Sequence, residues 1–292
     1  MRSLLLIFGV FCCSTSVIFI KVGQTDPVVL SAWRLLLGGL FLFPLSLGAW
    51  KKVRDQGPQR ILRRTLPPAL FLGIHFITWI MGARLTPSAN ASLLVNMVPV
   101  VMPFLLFFVI SERITRTEGL GTLAAMSGVL LLGIGDFNLS REYALGDVIC
   151  FLSMLFYAFY LIYARKNRDL PSIYLYVVPV YLMAGLLCLG IAGLLELSGR
   201  PVLWLGPDLK MEAVSILGLA LIPTVFGHSI INWALRSIRG QAVVIINLAQ
   251  FIFAGIMGFV LLGEVPHLVF YLASLLVVGG AVIVIRQRDP AT

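Results

Sequence analysis

The sequence predicts an all-α integral membrane protein with ten transmembrane helices, arranged as two five-helix repeats of inverted topology. Three observations carry this. Of 292 residues, 59% are hydrophobic and 12% are charged, against roughly 25% charged in a soluble domain. Apolar stretches recur along the chain, several of them about 18 residues or longer and able to cross a hydrocarbon core of about 30 Å as a helix. Finally, "FFVISERI" at 107–114 returns as "FVLLGEV" at 259–265. Each apolar run stops on a glutamate, Glu112 and then Glu264.

The spans follow in order at approximately 3–21, 28–48, 66–83, 91–111, 119–135, 146–164, 173–195, 213–235, 242–262 and 268–286. The first, "MRSLLLIFGVFCCSTSVIFIK", has the single Arg and apolar core of a signal peptide. No A-x-A-like site follows it and nine more apolar segments do, so it reads as a retained span. Proline, glycine or charge marks each break: "TDP", "KKVRDQGPQRILRR", "LTPSAN", "ERITRTEG", "DFNLSREYALGD", "RKNRDLPS", "ELSGRPVLWLGPDLK", "RSIRGQ" and "GEVPH". No break is long enough for a soluble domain.

Charge placement gives the orientation. With the N-terminus in the cytoplasm, sixteen Lys and Arg fall inside, among them Arg2, Lys51, Lys52, Arg54, Arg165, Lys166, Arg286 and Arg288. The outside receives five: Lys21, Arg84, Arg141, Arg200 and Lys210. Arg34 lies within span two. This bias predicts both termini in the cytoplasm, and the expected location is the cell's inner (plasma) membrane. It also accounts for the excess of 22 basic over 13 acidic residues without a nucleic-acid partner.

Glu112 and Glu264 are 152 residues apart, and the same offset carries Gly128 onto Gly280 and Gly121 onto Ala273. With a two-residue gap, "TWIMGARLTPSANASLL" lies over "NWALRSIRGQAVVII", pairing Trp79 with Trp233. The repeats are therefore 1–136 and 142–288. Five spans is an odd number, so the second half enters the membrane upside down, as in many secondary transporters. Glu112 and Glu264 are expected to be structural, each capping the helix that follows it and complementing its dipole; proton coupling is the alternative. Small residues in spans five and ten (Gly121, Ala125, Gly128; Ala273, Gly280) are expected to pack within the bundle rather than between protomers, which favours a monomer.

Polar residues inside spans are the candidate site, because a polar group in hydrocarbon must pair or face water. His75, Thr78, Trp79 and Gly82 share one face of span three. Thr224, His228 and Asn232 follow at i+4 steps in span eight, with Trp233 alongside. Span four aligns Ser92, Asn96, Pro99 and Pro103, span nine offers Asn247 and Gln250, span six Ser153, Tyr157 and Tyr160, and span one Ser14, Thr15 and Ser16. The expected substrate contacts are His75, Thr78, Trp79, Asn96, Tyr157, Tyr160, His228, Asn232, Trp233 and Gln250. Pro99, Pro103 and Pro223 free carbonyls and permit bending. The competing reading is that Ser, Thr and Asn simply join helices. His75 and His228 are also candidates for carrying protons, since a histidine titrates near neutral pH. Cys12, Cys13, Cys150 and Cys188 lie in apolar runs without metal or redox spacing and read as packing residues, so no metal or cofactor is expected.

The chain resembles the ten-span EamA branch of the drug/metabolite transporter superfamily. The residues carrying the resemblance are "CCSTSVIFIKVG" ending the first span, "SAWRLLLGGLFL" with Arg34, and "GARLTPSANASLLVNMVPVVMPFLLFFVISERIT…SGVLLLG". "GDVICFLSMLFYAFYLIYARK" and "FVLLGEV…VVGGAVIV" complete the set. The resemblance implies a ten-helix bundle exporting small metabolites, often amino acids, from bacteria. Small multidrug exporters of that superfamily use a glutamate in the first span, where this chain has Ser and Thr. No Lys or Arg is expected near the middle of the membrane, since Lys21 sits at a span end and Arg34 is expected to bond backbone or reach the outer interface. A neutral or zwitterionic solute therefore fits better than a cationic drug or a phosphorylated one. Multidrug efflux is the alternative within transport. An intramembrane enzyme lacks a convergent constellation, and a sensor lacks an output domain.

Overall fold

The structure, a computed structural model, describes residues 2–53, 58–136, 141–266 and 268–286. Arg54 and Arg288, two of the expected cytoplasmic charges, lie outside the described residues. The described residues form helices without strands, as a chain with no water to satisfy its backbone in mid-membrane must.

The helices are α1 (Arg2–Ser14), α2 (Ser16–Val22), α3 (Pro27–Val53), α4 (Pro58–Arg84), α5 (Ser88–Val95), α6 (Val98–Ile110) and α7 (Arg116–Asp136). After these come α8 (Arg141–Lys166), α9 (Tyr174–Leu197), α10 (Leu209–Leu219), a π-helical segment (Ala220–His228) and α11 (Ser229–Ser237). The chain closes with α12 (Gly240–Leu248), α13 (Gln250–Leu262) and α14 (Leu268–Ile285). Nine spans qualify as membrane-crossing by length and apolarity among the described residues. Four of them are composite. α1 and α2 meet at Thr15, α5 and α6 at Asn96 and Met97, and α12 and α13 at Ala249, while α10 and α11 join through the π-helical segment. The count leaves out α7, which occupies the place of the expected fifth span.

Large apolar side chains such as Leu4, Phe108 and Leu275 stay exposed around the bundle, as a lipid-facing surface requires. Inside, α3 packs on α9, α4 on α8, α1 on the π-helical segment, α5 on α13, and α7 on α14. The last pair touches backbone to backbone. A Cβ on Gly128 would come within 2.6 Å of the Ala273 carbonyl oxygen, and one on Gly280 within 2.5 Å of that of Gly121. These small residues thus serve close helix approach inside the bundle.

The two glutamate-ended runs stop by the same device. Ser111 and Gly263 adopt left-handed conformations, with φ of 57° and 71°. The next amide, that of Glu112 or Glu264, returns to the carbonyl six residues back, Leu106 at 2.9 Å and Gly258 at 3.1 Å. This left-handed stop satisfies carbonyls the helix end would otherwise orphan.

Candidate functional site

The centre of the bundle is polar because prolines open it. Pro223 has no N–H to give the carbonyl of Leu219, one turn back. The Thr224 hydroxyl takes over and donates to that carbonyl at 2.8 Å, and Ser229 bonds back five residues to Thr224. The wide π turn results, and such turns recur at functional sites. Pro103 likewise frees the Pro99 carbonyl, which accepts from Gln241 Nε2 at 3.1 Å.

Arg34 lies against this opened segment. Among the described residues it is the largest side chain that is fully buried. Its Nε and Nη2 donate to the Thr224 hydroxyl oxygen at 3.2 and 3.0 Å, and Nη1 donates to Ser16 Oγ at 3.3 Å. The guanidinium also stacks 3.8 Å over the Phe76 ring. Trp79 Nε1 donates to the same Ser16 oxygen at 3.2 Å. The expectation that Arg34 bonds backbone or reaches the outer interface is therefore corrected: it is fully buried and bonds side-chain hydroxyls. Its partners come from α2 and the π-helical segment, and neither pairing is visible from span two alone.

Next to Phe76 is an aromatic cluster. The His228 ring lies edge-on to Phe76 at 5.1 Å and to Tyr157 at 5.7 Å, and 6.5 Å from His75. His75 stacks on Tyr157 at 4.7 Å, and Tyr157 on Tyr160 at 6.1 Å. The two imidazoles differ in their bonding. His75 Nδ1 is 2.9 Å from Ser153 Oγ and 3.1 Å from the Ser153 carbonyl, and Ser153 Oγ donates to the His75 carbonyl at 2.9 Å. The buried Nδ1 of His228 has no partner.

The amides complete the site. Asn96 and Asn247 stand where their spans break, and Asn247 Nδ2 donates to Asn96 Oδ1 at 2.8 Å. Gln250 Nε2 donates to Asn247 Oδ1 at 2.6 Å. Asn232 Nδ2 donates to the His228 carbonyl at 2.7 Å and to the Tyr160 hydroxyl. A carbonyl accepts only from a donor, so the nitrogen must face it. That leaves buried Asn232 Oδ1 without a partner.

Of the expected contacts, His75, Trp79, Asn96, Tyr157, Tyr160, His228, Asn232 and Gln250 are thus buried together with Arg34. Two stand apart. The Thr78 hydroxyl donates to carbonyls of its own helix, Ile74 and His75. Trp233 is half-buried and packs on the apolar core, outside the aromatic cluster. Phe76 and Arg34 were not among the expected contacts; a lone arginine within an apolar span was the available signal for the second. Among the described residues no group of three or more His, Cys, Asp or Glu is placed to hold a metal ion.

Charges gather at the two ends. At one, Lys21 Nζ meets Glu264 Oε1 at 2.6 Å, while Oε2 of the same carboxylate accepts the Ser88 amide at 2.8 Å. Burial raises the Glu264 carboxyl, but the bonds from Lys21 and Ser88 outweigh it and hold the group below the usual carboxylate range. Nearby, Glu212 accepts from Gln24 N and the Thr25 hydroxyl. At the other end, Arg165 pairs with Glu112 at 3.0 Å and Arg239 with Glu118 at 2.7 Å. The Arg64 guanidinium beside Asp169 holds that carboxyl below its ordinary range. Among the described residues Glu112 bonds Arg165 and Glu264 bonds Lys21 and the Ser88 amide, and neither meets the first turn of the helix that follows it. Thr115 and Glu118 close the start of α7 by a capping box, and Glu264 caps α5 from across the bundle.

Two stretches of the chain, residues 2–134 and 144–286, match the model of the EamA-like transporter family. An uncharacterized transporter of Archaeoglobus fulgidus is 25% identical over 275 residues, covering 92% of this chain and 91% of the relative. A second uncharacterized transporter, from Acidianus ambivalens, is 25% identical over 143 residues, covering 48% of this chain and 51% of that protein. A solved crystal structure superposes with a TM-score of 0.74 at 18% identity, with 99% of each chain covered; at that identity the likeness is one of fold.

Proposed function

The chain belongs to the EamA-like transporter family, within the drug/metabolite transporter superfamily, and from that premise we propose an exporter of small neutral or zwitterionic metabolites such as amino acids. It works by alternating access in the cell's inner membrane, with both termini in the cytoplasm. Ten spans, α7 counted as the fifth, form two inverted halves, 1–136 and 142–288, that rock around the central cluster.

The observation that carries this reading is the cluster itself. Arg34, His75 and Asn96 come from the first half and Tyr157, His228, Asn232 and Asn247 from the second. A buried polar group without a partner costs free energy, and two such atoms, His228 Nδ1 and Asn232 Oδ1, belong to residues one helical turn apart, which a solute's polar groups would satisfy in this reading. The pairing of elements supports the inverted halves: α4 on α8 has its exchange counterpart in the π-helical segment on α1, and the break-point asparagines bond each other. The paired carboxylates Glu112, Glu118, Asp169, Glu212 and Glu264 lie at the ends, which favours metabolite export over efflux of cationic drugs.

The direct test is untargeted mass spectrometry of medium from cells overexpressing the protein, against cells expressing a His228→Phe, Asn232→Leu variant. Enrichment of one amino acid or related metabolite by the wild type alone is the expected result. Equal media, with both proteins present in the membrane, would refute export. Of the two histidines expected to carry protons, His75 has its Nδ1 held by Ser153, whereas the Nδ1 of His228 has no partner among the described residues. His228 faces Phe76, Tyr157, Tyr160 and His75, with Arg34 across Phe76. A proton-coupled cycle in this reading runs through it. Transport then depends on pH in the wild type and is flat in His228→Gln; a pH profile unaltered by the substitution removes His228 from coupling.

A further inference from the structure

We propose that Arg34 is the carboxylate-binding and specificity-determining residue of the transport site. The inference rests on the transporter reading and deepens it. An exporter of zwitterions needs a group that distinguishes an acid from its uncharged analogues, and Arg34 has the chemistry for it.

A guanidinium keeps its proton across the physiological range and is expensive to bury unless an anion accompanies it. Arg34 is fully buried, and among the described residues its partners are two neutral hydroxyls and one aromatic face. Three of its five N–H groups are used, two of them sharing the one Thr224 oxygen. The five salt bridges of the described residues are made by Lys21, Arg64, Arg165, Arg168 and Arg239 with acidic side chains, all of them outside this cluster. Arg34 is thus a buried cation whose anion is not supplied by those carboxylates.

The geometry suits a carboxylate. Nε and Nη2 already converge on one oxygen, which is the edge a planar carboxylate grips with two parallel bonds. The Thr224 hydroxyl that now fills this edge has a second role, donating to Leu219, so it stays satisfied when displaced. The Ser16 hydroxyl keeps its bond from Trp79. Arrival of the acid therefore exchanges neutral acceptors for a charged one and orphans neither hydroxyl. A single guanidinium matches a monoanion; a phosphate dianion calls for more positive charge.

The position also explains a coupling across the halves. Arg34 belongs to α3, and Thr224 to the π-helical segment 190 residues later. A carboxylate that takes the guanidinium from Thr224 loosens a tie between the two halves at the moment the solute is bound.

The test uses purified full-length protein in detergent and reads ligand-induced thermal stabilisation. The probes are a panel of L-amino acids and short monocarboxylates, each beside its own carboxamide. The expected result is that at least one acid stabilises the wild type, while its carboxamide needs a concentration about tenfold higher or more, the scale of a charge-assisted hydrogen bond. Arg34→Gln abolishes that preference, and Arg34→Lys, which keeps the charge without the fork, restores part of it. If a carboxamide stabilises as well as its acid, the inference fails while the transporter reading stands. If neither acids nor amides bind, both the inference and the proposed substrate class fail. The acid–amide comparison needs only wild-type protein, so it decides the matter even if the variants do not fold.

Discussion

His75 and His228 are both buried imidazoles, 6.5 Å apart in one aromatic cluster, yet they have opposite situations. The first is held by Ser153 at hydroxyl and carbonyl and ties α4 to α8. The second offers a buried ring nitrogen to no one, beside an equally unpartnered amide oxygen on Asn232. Residue type alone does not distinguish them. Bonding does: His75 Nδ1 joins two helices through Ser153, whereas His228 Nδ1 has no partner among the described residues.

The comparison is broken most decisively by substituting the unsatisfied side. His228→Phe or Asn232→Leu is expected to reduce transport tenfold or more, the scale of about 1.4 kcal/mol, with the melting temperature in detergent unchanged or raised. Rates in proteoliposomes and a thermal melt read the two quantities separately, and a large drop in melting temperature would put His228 in the same class as His75. His75→Ala should behave conversely, losing about 2 kcal/mol of stability from the broken bonds and the void. Transport per folded molecule should fall much less than in the His228 variant. A double-mutant cycle with Ser153→Ala sharpens the point, with a coupling of about 0.6 kcal/mol, the mean measured for hydrogen bonds between membrane helices. The smallest effect concerns neither histidine. Ser111 takes the left-handed turn that Gly263 takes in the other run, so Ser111→Gly should stabilise by about 1 kcal/mol and leave transport alone; a lower melting temperature would contradict the equivalence of the two stops.

Much of this architecture was legible in the sequence. Apolar run length placed the helices, and the glutamate-ended runs pointed to a shared helix stop. The prolines announced open carbonyls, because a missing N–H is a local fact. What escaped was non-local. Arg34 meets Thr224 across 190 positions and Lys21 meets Glu264 across 243, and no periodicity within one span reveals such partners. Glu264 does cap a helix, as its chemistry suggested, and among the described residues that helix is α5, across the bundle. Trp233 follows His228 by five residues, about 140° round an ordinary helix, and lies half-buried against the apolar core.

The central claim is that the unsatisfied side of the cluster is where solute binds. Its most direct test is counterflow exchange in proteoliposomes of the solute identified in the medium, at equal folded protein, for wild type, His228→Phe and His75→Ala. The account predicts exchange near background for His228→Phe and close to wild type for His75→Ala. Equal losses in both, or loss in His75→Ala alone, would contradict it.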